Sequence, residues 1–128
     1  MKYNKLIPEL SVTNINKSKE FYTNLGFKIK YERKETNFCF LELQNNQIMI
    51  EQINNNWETG TLEYPFGRGI NISMTVKDIN LIYQNAIDNQ YKIFKEIMIN
   101  KYRVEEKIIE EHEFLIQDPD GYLLRFND

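Results

Sequence analysis

The sequence predicts an α+β fold built from two tandem βαβββ modules, and two repeated patterns support this prediction. Residues 10–29, LSVTNINKSKEFYTNLGFKI, align with residues 74–93, MTVKDINLIYQNAIDNQYKI, so that a strand, a capped helix and a second strand recur. Downstream, the stretches 40–52 and 114–126 both read as two apolar strands joined by a polar turn. A repeat of half the chain length indicates a duplicated module, because a solenoid needs three or more short units.

The first module begins with a strand that alternates by side. One side of this strand carries Leu6, Pro8, Leu10 and Val12. A helix follows, with Asn14 as its predicted N-cap and Gly26 as the predicted residue after its C-terminus. One face of this helix carries Ile15, Ser18, Phe21, Tyr22 and Leu25.

The second module repeats this order. Its first strand places Ile70, Ile72, Met74 and Val76 on one side. Asp78 is the predicted N-cap of the second helix, whose apolar residues follow helical spacing. Near the end of the chain, Asp118-Pro119-Asp120-Gly121 suits a type I turn before a last strand. The extra residues of this module fall between 94 and 113, and the pattern leaves open a long loop or an extended strand.

Together these elements predict a single domain. We place module one at about residues 4–56, a linker at about 57–67 and module two at about 68–128. The chain has 128 residues, of which 41% are hydrophobic, enough to bury a core. Its net charge of −3 disfavours a strongly basic nucleic-acid surface. The sole cysteine, Cys39, is expected to be a small buried residue and excludes an intrachain disulfide or thiolate cluster.

No stretch approaches the ~20 apolar residues of a membrane span, and the N-terminus lacks the apolar core of a signal peptide. We therefore expect a cytoplasmic protein without a membrane or nucleic-acid partner.

Alternation divides each sheet into an apolar side, expected under the helices, and a mixed side. The mixed side carries Phe38, Phe40, Glu51, Asn71 and Arg125. Such a side can simply face water, as antiparallel sheets often do. It can also line a cavity, because aromatic rings beside isolated polar groups are typical of a small-molecule pocket.

Three segments resemble the vicinal-oxygen-chelate superfamily: IPELSVTNINKSKEFYTNLGFKI, FGRGINISMTV and DPDGYLLRF. This superfamily includes glyoxalase I, extradiol dioxygenases, fosfomycin-resistance enzymes and bleomycin-resistance proteins. The initial PEL, the segment WETGTLEYPFGRG and the DPDGYLLRF ending are most similar to the bleomycin-resistance branch. The resemblance implies a half-barrel of two βαβββ modules, a homodimer, and a ligand site in the trough at the dimer interface.

The resemblance also locates the metal-ligand positions of the superfamily's enzymes. They correspond here to Ile7, Glu51, Asn71 and Arg125. Only Glu51 is a good ligand, since isoleucine offers no donor atom and arginine carries a permanent positive charge. The one histidine, His112, is expected at a surface or strand edge. The sequence therefore predicts no metal and no other cofactor, and we hypothesise that Glu51 and Arg125 form an ion pair within one chain or across a dimer.

The favoured function is the sequestration of a small aromatic or cationic molecule, such as a bleomycin-like drug. Aromatic walls and acidic groups suit such a ligand. Trp57 and Tyr64 are candidates because they lie in the linker, while Phe38, Tyr102 and Arg103 are implied by the resemblance. The predicted ligand-binding residues are Phe38, Phe40, Glu51, Trp57, Tyr64, Asn71, Tyr102, Arg103 and Arg125.

Two alternatives remain open. One is an enzyme, either a glyoxalase-like lyase or a metal-free isomerase with Glu9 or Glu51 as general base. The other is a regulatory or structural binding domain that has no high-affinity small ligand.

Overall fold

The computed structural model describes all residues from 1 to 128 and contains two four-stranded sheets. The first module comprises β1 (Glu9–Val12), helix α1 (Ile15–Leu25), β2 (Lys28–Arg33), β3 (Phe38–Leu43) and β4 (Asn46–Gln52). A single 3-10 turn, Lys34–Thr36, separates β2 from β3. The second module comprises β5 (Asn71–Thr75), helix α2 (Ile79–Asp88), β6 (Ile93–Val104), β7 (Lys107–Gln117) and β8 (Leu123–Asn127). The predicted α+β fold of two βαβββ modules is confirmed.

Both sheets have the same topology, as expected of a duplicated module. The strand order is β1-β4-β3-β2 in the first sheet and β5-β8-β7-β6 in the second. In each sheet the first strand of the module pairs with the last in parallel, while all other pairs are antiparallel.

The helix caps lie where the sequence predicts them. The Asn14 side chain accepts hydrogen bonds from the backbone N–H groups of Asn16 and Lys17, and Asp78 accepts one from Asn80. Gly26 ends α1 with a φ of 126°, a conformation that residues with a side chain rarely adopt. Local chemistry thus fixes both helix starts and the end of α1.

A single core of 21 buried residues joins the two modules. It is formed by both helices and by the helix-facing side of each sheet, including Leu41 and Ile50 from the first and Phe114 and Phe126 from the second. Cys39 is buried in this core as expected, and burial raises the pKa of its thiol to about 11. The other side of each sheet points away from the core; we call these sides the first and second outer faces.

Strands β1 and β5 begin later than predicted. Leu6 and Ile70, which alternation assigned to these strands, precede them and are 82% and 63% exposed. Pro8 has no N–H group, and its carbonyl accepts a single bond from the Met49 N–H before the ladder starts. The residues before Pro8 are held by side chains instead, as where the Asn4 N–H donates to Gln47.

The segment 94–113, which the sequence left open, forms most of a long hairpin. Strand β8 pairs with β7 only from Glu113 to Gln117, so the tip of the β6–β7 hairpin extends past the sheet as a two-stranded ribbon. Exposed apolar side chains lie along this ribbon, among them Ile99, Val104 and Ile108. Two-stranded ribbons are marginal by themselves, so this one gains from further packing.

The Asp-Pro-Asp-Gly turn joins the two modules. The Gly121 N–H donates to the Asp118 carbonyl across the turn. The Asp118 carboxylate is buried and accepts a hydrogen bond from the Tyr22 hydroxyl of α1 at 2.7 Å. Asp120, also buried, accepts from the Thr13 hydroxyl at 2.6 Å. The predicted turn is therefore present, and its two acids bind the first module.

Candidate functional site

The second outer face contains a buried charged cluster. Glu113 of β7 is only 3% exposed, and its Oε1 accepts hydrogen bonds from the Asn100 side chain and from the Tyr102 hydroxyl at 2.9 Å. The Nε of Arg125, from β8, lies 3.9 Å from Glu113 Oε2. The pKa of Tyr102 is raised, mainly by its hydrogen bond to Glu113 and secondly by desolvation. Alternation brings these residues together, because Met98, Asn100 and Tyr102 share the side of the hairpin that carries Glu113.

The two atoms of this ion pair make no hydrogen bond. Glu113 Oε2 and Arg125 Nε are buried, and neither makes a hydrogen bond in the chain. An unsatisfied buried polar group costs roughly 1–3 kcal/mol, and more if it is charged. A polar group that enters between the two side chains would recover part of this cost, so the cluster can bind a ligand through hydrogen bonds and charge.

We expect Arg125→Leu to lower the free energy of unfolding by about 1–2 kcal/mol, because it leaves the Glu113 carboxylate buried without a counter-charge. The value is reduced from that of a fully buried pair because the Arg125 side chain is 34% exposed. Urea unfolding of both single variants and the double variant with Glu113→Gln measures the coupling. An equal effect of Arg125→Leu in the Glu113→Gln background would contradict this pairing.

The first outer face is aromatic, and its rings cover one another. Tyr31 of β2 stacks on Phe40 with ring centroids 5.2 Å apart, and the Tyr3 ring meets Phe40 edge-on at 5.6 Å. The Arg33 guanidinium lies 4.0 Å from the centre of the Phe38 ring. Phe38 and Phe40 are on the predicted face but are almost completely buried beneath these neighbours. A ligand on this face would therefore first meet Tyr31 and Arg33.

Acidic residues border these rings. Glu51 Oε1 accepts hydrogen bonds from the Trp57 indole N–H at 3.1 Å and from the Asn54 side chain at 2.9 Å. Burial, and secondarily the charge of Glu51, raises the pKa of Glu9. Trp57 is thus beside Glu51, although its own ring is largely exposed.

The hypothesised ion pair between Glu51 and Arg125 is not present within the chain. Glu51 bonds to Trp57 and Asn54, while Arg125 faces Glu113. The physical reason is that the two side chains belong to different sheets that share a core on their opposite sides. A pair across a dimer stays a prediction.

The other predicted residues are dispersed. Asn71 begins β5 on the second outer face and is exposed, and Tyr102 belongs to the Glu113 cluster. Arg103 lies on the exposed ribbon, where its Nε donates to the Glu105 carbonyl. Tyr64 lines a separate cleft beside α1, away from both the Glu113 cluster and the rings of the first outer face. His112 is exposed in β7, as predicted, with Nδ1 3.1 Å from Asp128 Oδ1.

The four positions that correspond to metal ligands do not fit a divalent ion. Ile7 has no donor atom, and Arg125 presents a cation next to Glu113. Glu51 and Asn71 belong to different sheets. No three His, Cys, Asp or Glu side chains of the chain are grouped so as to hold a metal ion.

Comparison with known proteins establishes the family. The model of the Glyoxalase/Bleomycin resistance protein/Dioxygenase superfamily matches residues 6–126. The chain belongs to this superfamily. A superfamily member from Vibrio splendidus 12B01 is 34% identical, with 93% of each chain covered and a TM-score of 0.43.

More distant solved structures share the superfamily fold. An integron cassette protein from Vibrio cholerae is 20% identical, with 99% of this chain and 96% of that one covered and a TM-score of 0.69. A bleomycin-binding protein in complex with bleomycin is 17% identical, with 98% of both chains covered and a TM-score of 0.67. No curated protein is significantly similar to the chain. None of the helices in this superfamily member is long and apolar enough to cross a membrane.

Sequence reasoning missed Glu113, Tyr31 and Arg33. Glu113 precedes Phe114 in a strand whose alternation places it on the side opposite the core. That alternation was the available signal for Glu113. The positions of Tyr31 and Arg33 had a weaker signal, because an irregularity in the β2–β3 pairing between Ile29 and Tyr31 shifts the register.

Proposed function

We propose that this superfamily member binds a flat aromatic or cationic small molecule, without a metal ion, in a groove between two copies of the chain. The observation that carries the proposal is the Glu113–Arg125 ion pair, whose buried atoms make no hydrogen bond and lie on a sheet face that the core does not use. Bleomycin is one candidate, because a protein with this fold binds it.

The chemistry of the two outer faces supports this class of ligand. The first outer face offers the Tyr31 ring for stacking, and the carboxylates of Glu9 and Glu51 on this face outnumber the one guanidinium of Arg33. The second offers Glu113 and Arg125. Aromatic rings with nearby carboxylates suit a flat cation, while the arginine can donate to an oxygen of the same molecule.

A second copy would complete the groove. Neither Glu51 nor Arg125 lines one of the three principal cavities, so a single copy does not enclose these two side chains in such a cavity. A dimer that places the first outer face of one copy against the second outer face of the other would enclose a ligand. It would also cover the exposed ribbon of the β6–β7 hairpin and bring Glu51 towards the partner's Arg125.

Titration with bleomycin and with a flat cationic dye, followed through the fluorescence of Trp57, tests the proposal. Trp57 is the only tryptophan and donates to Glu51, so it reports on the first outer face. We expect quenching at micromolar ligand and a sedimentation mass of twice 15.5 kDa. Glu113→Gln should weaken binding about tenfold, because a hydrogen bond to a charged group is lost. Asp88→Asn, an exposed change at the end of α2 and therefore on the core side of the sheets, is the matched control.

Two results would contradict the proposal. If the chain remained monomeric at high concentration, the proposed groove between two copies could not form. If the dimer formed but no flat cation quenched Trp57 fluorescence or raised the thermal stability, the proposed class of ligand would be wrong. A ligand at 100 times its dissociation constant stabilises the folded chain by about 2.7 kcal/mol, which such a measurement detects.

The raised pKa of Glu9 favours one alternative, a lyase or isomerase with Glu9 as general base. Mass spectrometry of the bound molecule after incubation separates the two functions. Recovery of an unchanged ligand supports sequestration, whereas conversion that Glu9→Gln abolishes supports the enzyme.

A further inference from the structure

One cavity of the chain lies away from the Glu113–Arg125 cluster. It is a cleft of about 690 Å³ between α1, the linker and the segment that enters β6. This volume is typical of sites for small molecules. The residues that line it include Lys17, Phe21, Tyr64, Tyr91, Lys92 and Phe94.

The floor of the cleft is aromatic and fixed. The rings of Phe21 and Tyr91 pack with centroids 4.7 Å apart, and Phe21 is buried. The Asn24 side chain donates to the Tyr91 hydroxyl at 2.8 Å, which ties the floor to α1. The floor is therefore formed before any ligand arrives.

Two further rings border the cleft, and both are open to solvent. Tyr64 is 62% exposed and Phe94 is 50% exposed, and neither ring packs on another aromatic side chain. The Tyr64 backbone is held in place, since the Arg68 guanidinium donates to its carbonyl at 2.8 Å. Unpartnered rings at the border of an aromatic hollow suit a planar molecule that stacks against them.

The cleft has two free ammonium groups that can bind an anionic group. Neither Lys17 nor Lys92 forms an ion pair in the chain. The Asp118 carboxylate also lines the cleft, but its hydrogen bonds are made within the chain. It accepts them from the Tyr22 hydroxyl and from the backbone N–H groups of Asp120 and Tyr122. Glu20 is the one other acid of the lining. At neutral pH the charges of Glu20 and Asp118 balance those of the two lysines, so the cleft disfavours a polyanion. A single anionic group can bind through direct hydrogen bonds from the two ammonium groups.

We propose that this cleft is a second binding site, separate from the groove, which takes a planar aromatic molecule with one negative charge. The ring stacks between Tyr64 and the Phe21–Tyr91 floor, and the anionic group meets Lys17 and Lys92. This site does not depend on the proposed function, because it uses other residues and the opposite ligand charge.

Indole-3-carboxylate and the uncharged indole-3-carboxamide are the matched probes. Titration of the full chain, followed by backbone amide NMR shifts, should move the signals of Phe21, Tyr91 and Lys92 but leave Glu113 and Arg125 unchanged. The double variant Lys17→Gln/Lys92→Gln should weaken carboxylate binding about tenfold while the carboxamide is unaffected, because charged hydrogen bonds are lost. Tyr64→Ala should weaken both probes.

The control is Lys101→Gln, a lysine on the exposed ribbon, which should bind both probes as the parent chain does. Three results would overturn the second site: equal affinity for carboxylate and carboxamide, undiminished carboxylate binding by the double lysine variant, or shifts confined to the outer faces. Neither lysine forms an ion pair in the chain, so we expect the double variant to fold and its weaker binding to report on the site.

Discussion

Replacement of Gly121 by alanine is expected to lower the free energy of unfolding by about 3 kcal/mol. Gly121 has a φ of 95°, and a Cβ added there would lie 2.6 Å from both Cα and Cβ of Pro65. The left-handed backbone costs an alanine about 1–2 kcal/mol, and an overpacked contact typically adds about 1–3 kcal/mol. Because the obstacle includes the backbone of the linker, a side-chain rotation cannot relieve it.

Gly60→Ala is the matched control for this prediction. Gly60 belongs to the same linker, and nothing lies within 4 Å of the Cβ that alanine would add. Urea unfolding of both variants should show a large loss for Gly121→Ala and almost none for Gly60→Ala. If the two variants were equally stable, the close contact between the turn and Pro65 would be refuted.

The second large effect is a pH dependence that arises from Asp118. Burial raises the pKa of this carboxyl from 3.8 to about 6, despite the hydrogen bonds from Tyr22 and the turn that lower it. Between these pH values Asp118 is ionised in the unfolded chain but still protonated in the folded chain. The free energy of unfolding therefore falls as the pH rises from about 4 to about 6. A shift of this size corresponds to about 3 kcal/mol, which is present below pH 4 and lost above pH 6.

Asp118→Asn isolates this effect from the other carboxylates of the chain. The free energy of unfolding of the variant, minus that of the parent, should rise by about 3 kcal/mol between pH 4 and pH 7. Glu106→Gln, which changes an exposed acid, should show no such trend. A difference that stays constant or falls with pH would mean that the three hydrogen bonds outweigh burial at Asp118.

The sequence alone determined the modules, their order and their caps. The repeat, the N-caps at Asn14 and Asp78, and the turn at Asp118–Gly121 all depend on contacts within a few residues, so local chemistry fixes them. Alternation also assigned Phe38, Glu51 and Arg125 to the sides opposite the core, because a strand turns successive side chains to opposite faces.

Which of these side chains are in contact depends on the packing of the whole chain. Arg125 faces Glu113 rather than Glu51, and Tyr64 borders a cleft beside α1 rather than an outer face. Alternation predicts to which side of the sheet a side chain points. It does not predict which residue that side chain contacts, because the contact depends on how the hairpins and sheets pack. That packing follows from the shared core of both helices, a property of residues far apart in the chain that no local pattern contains.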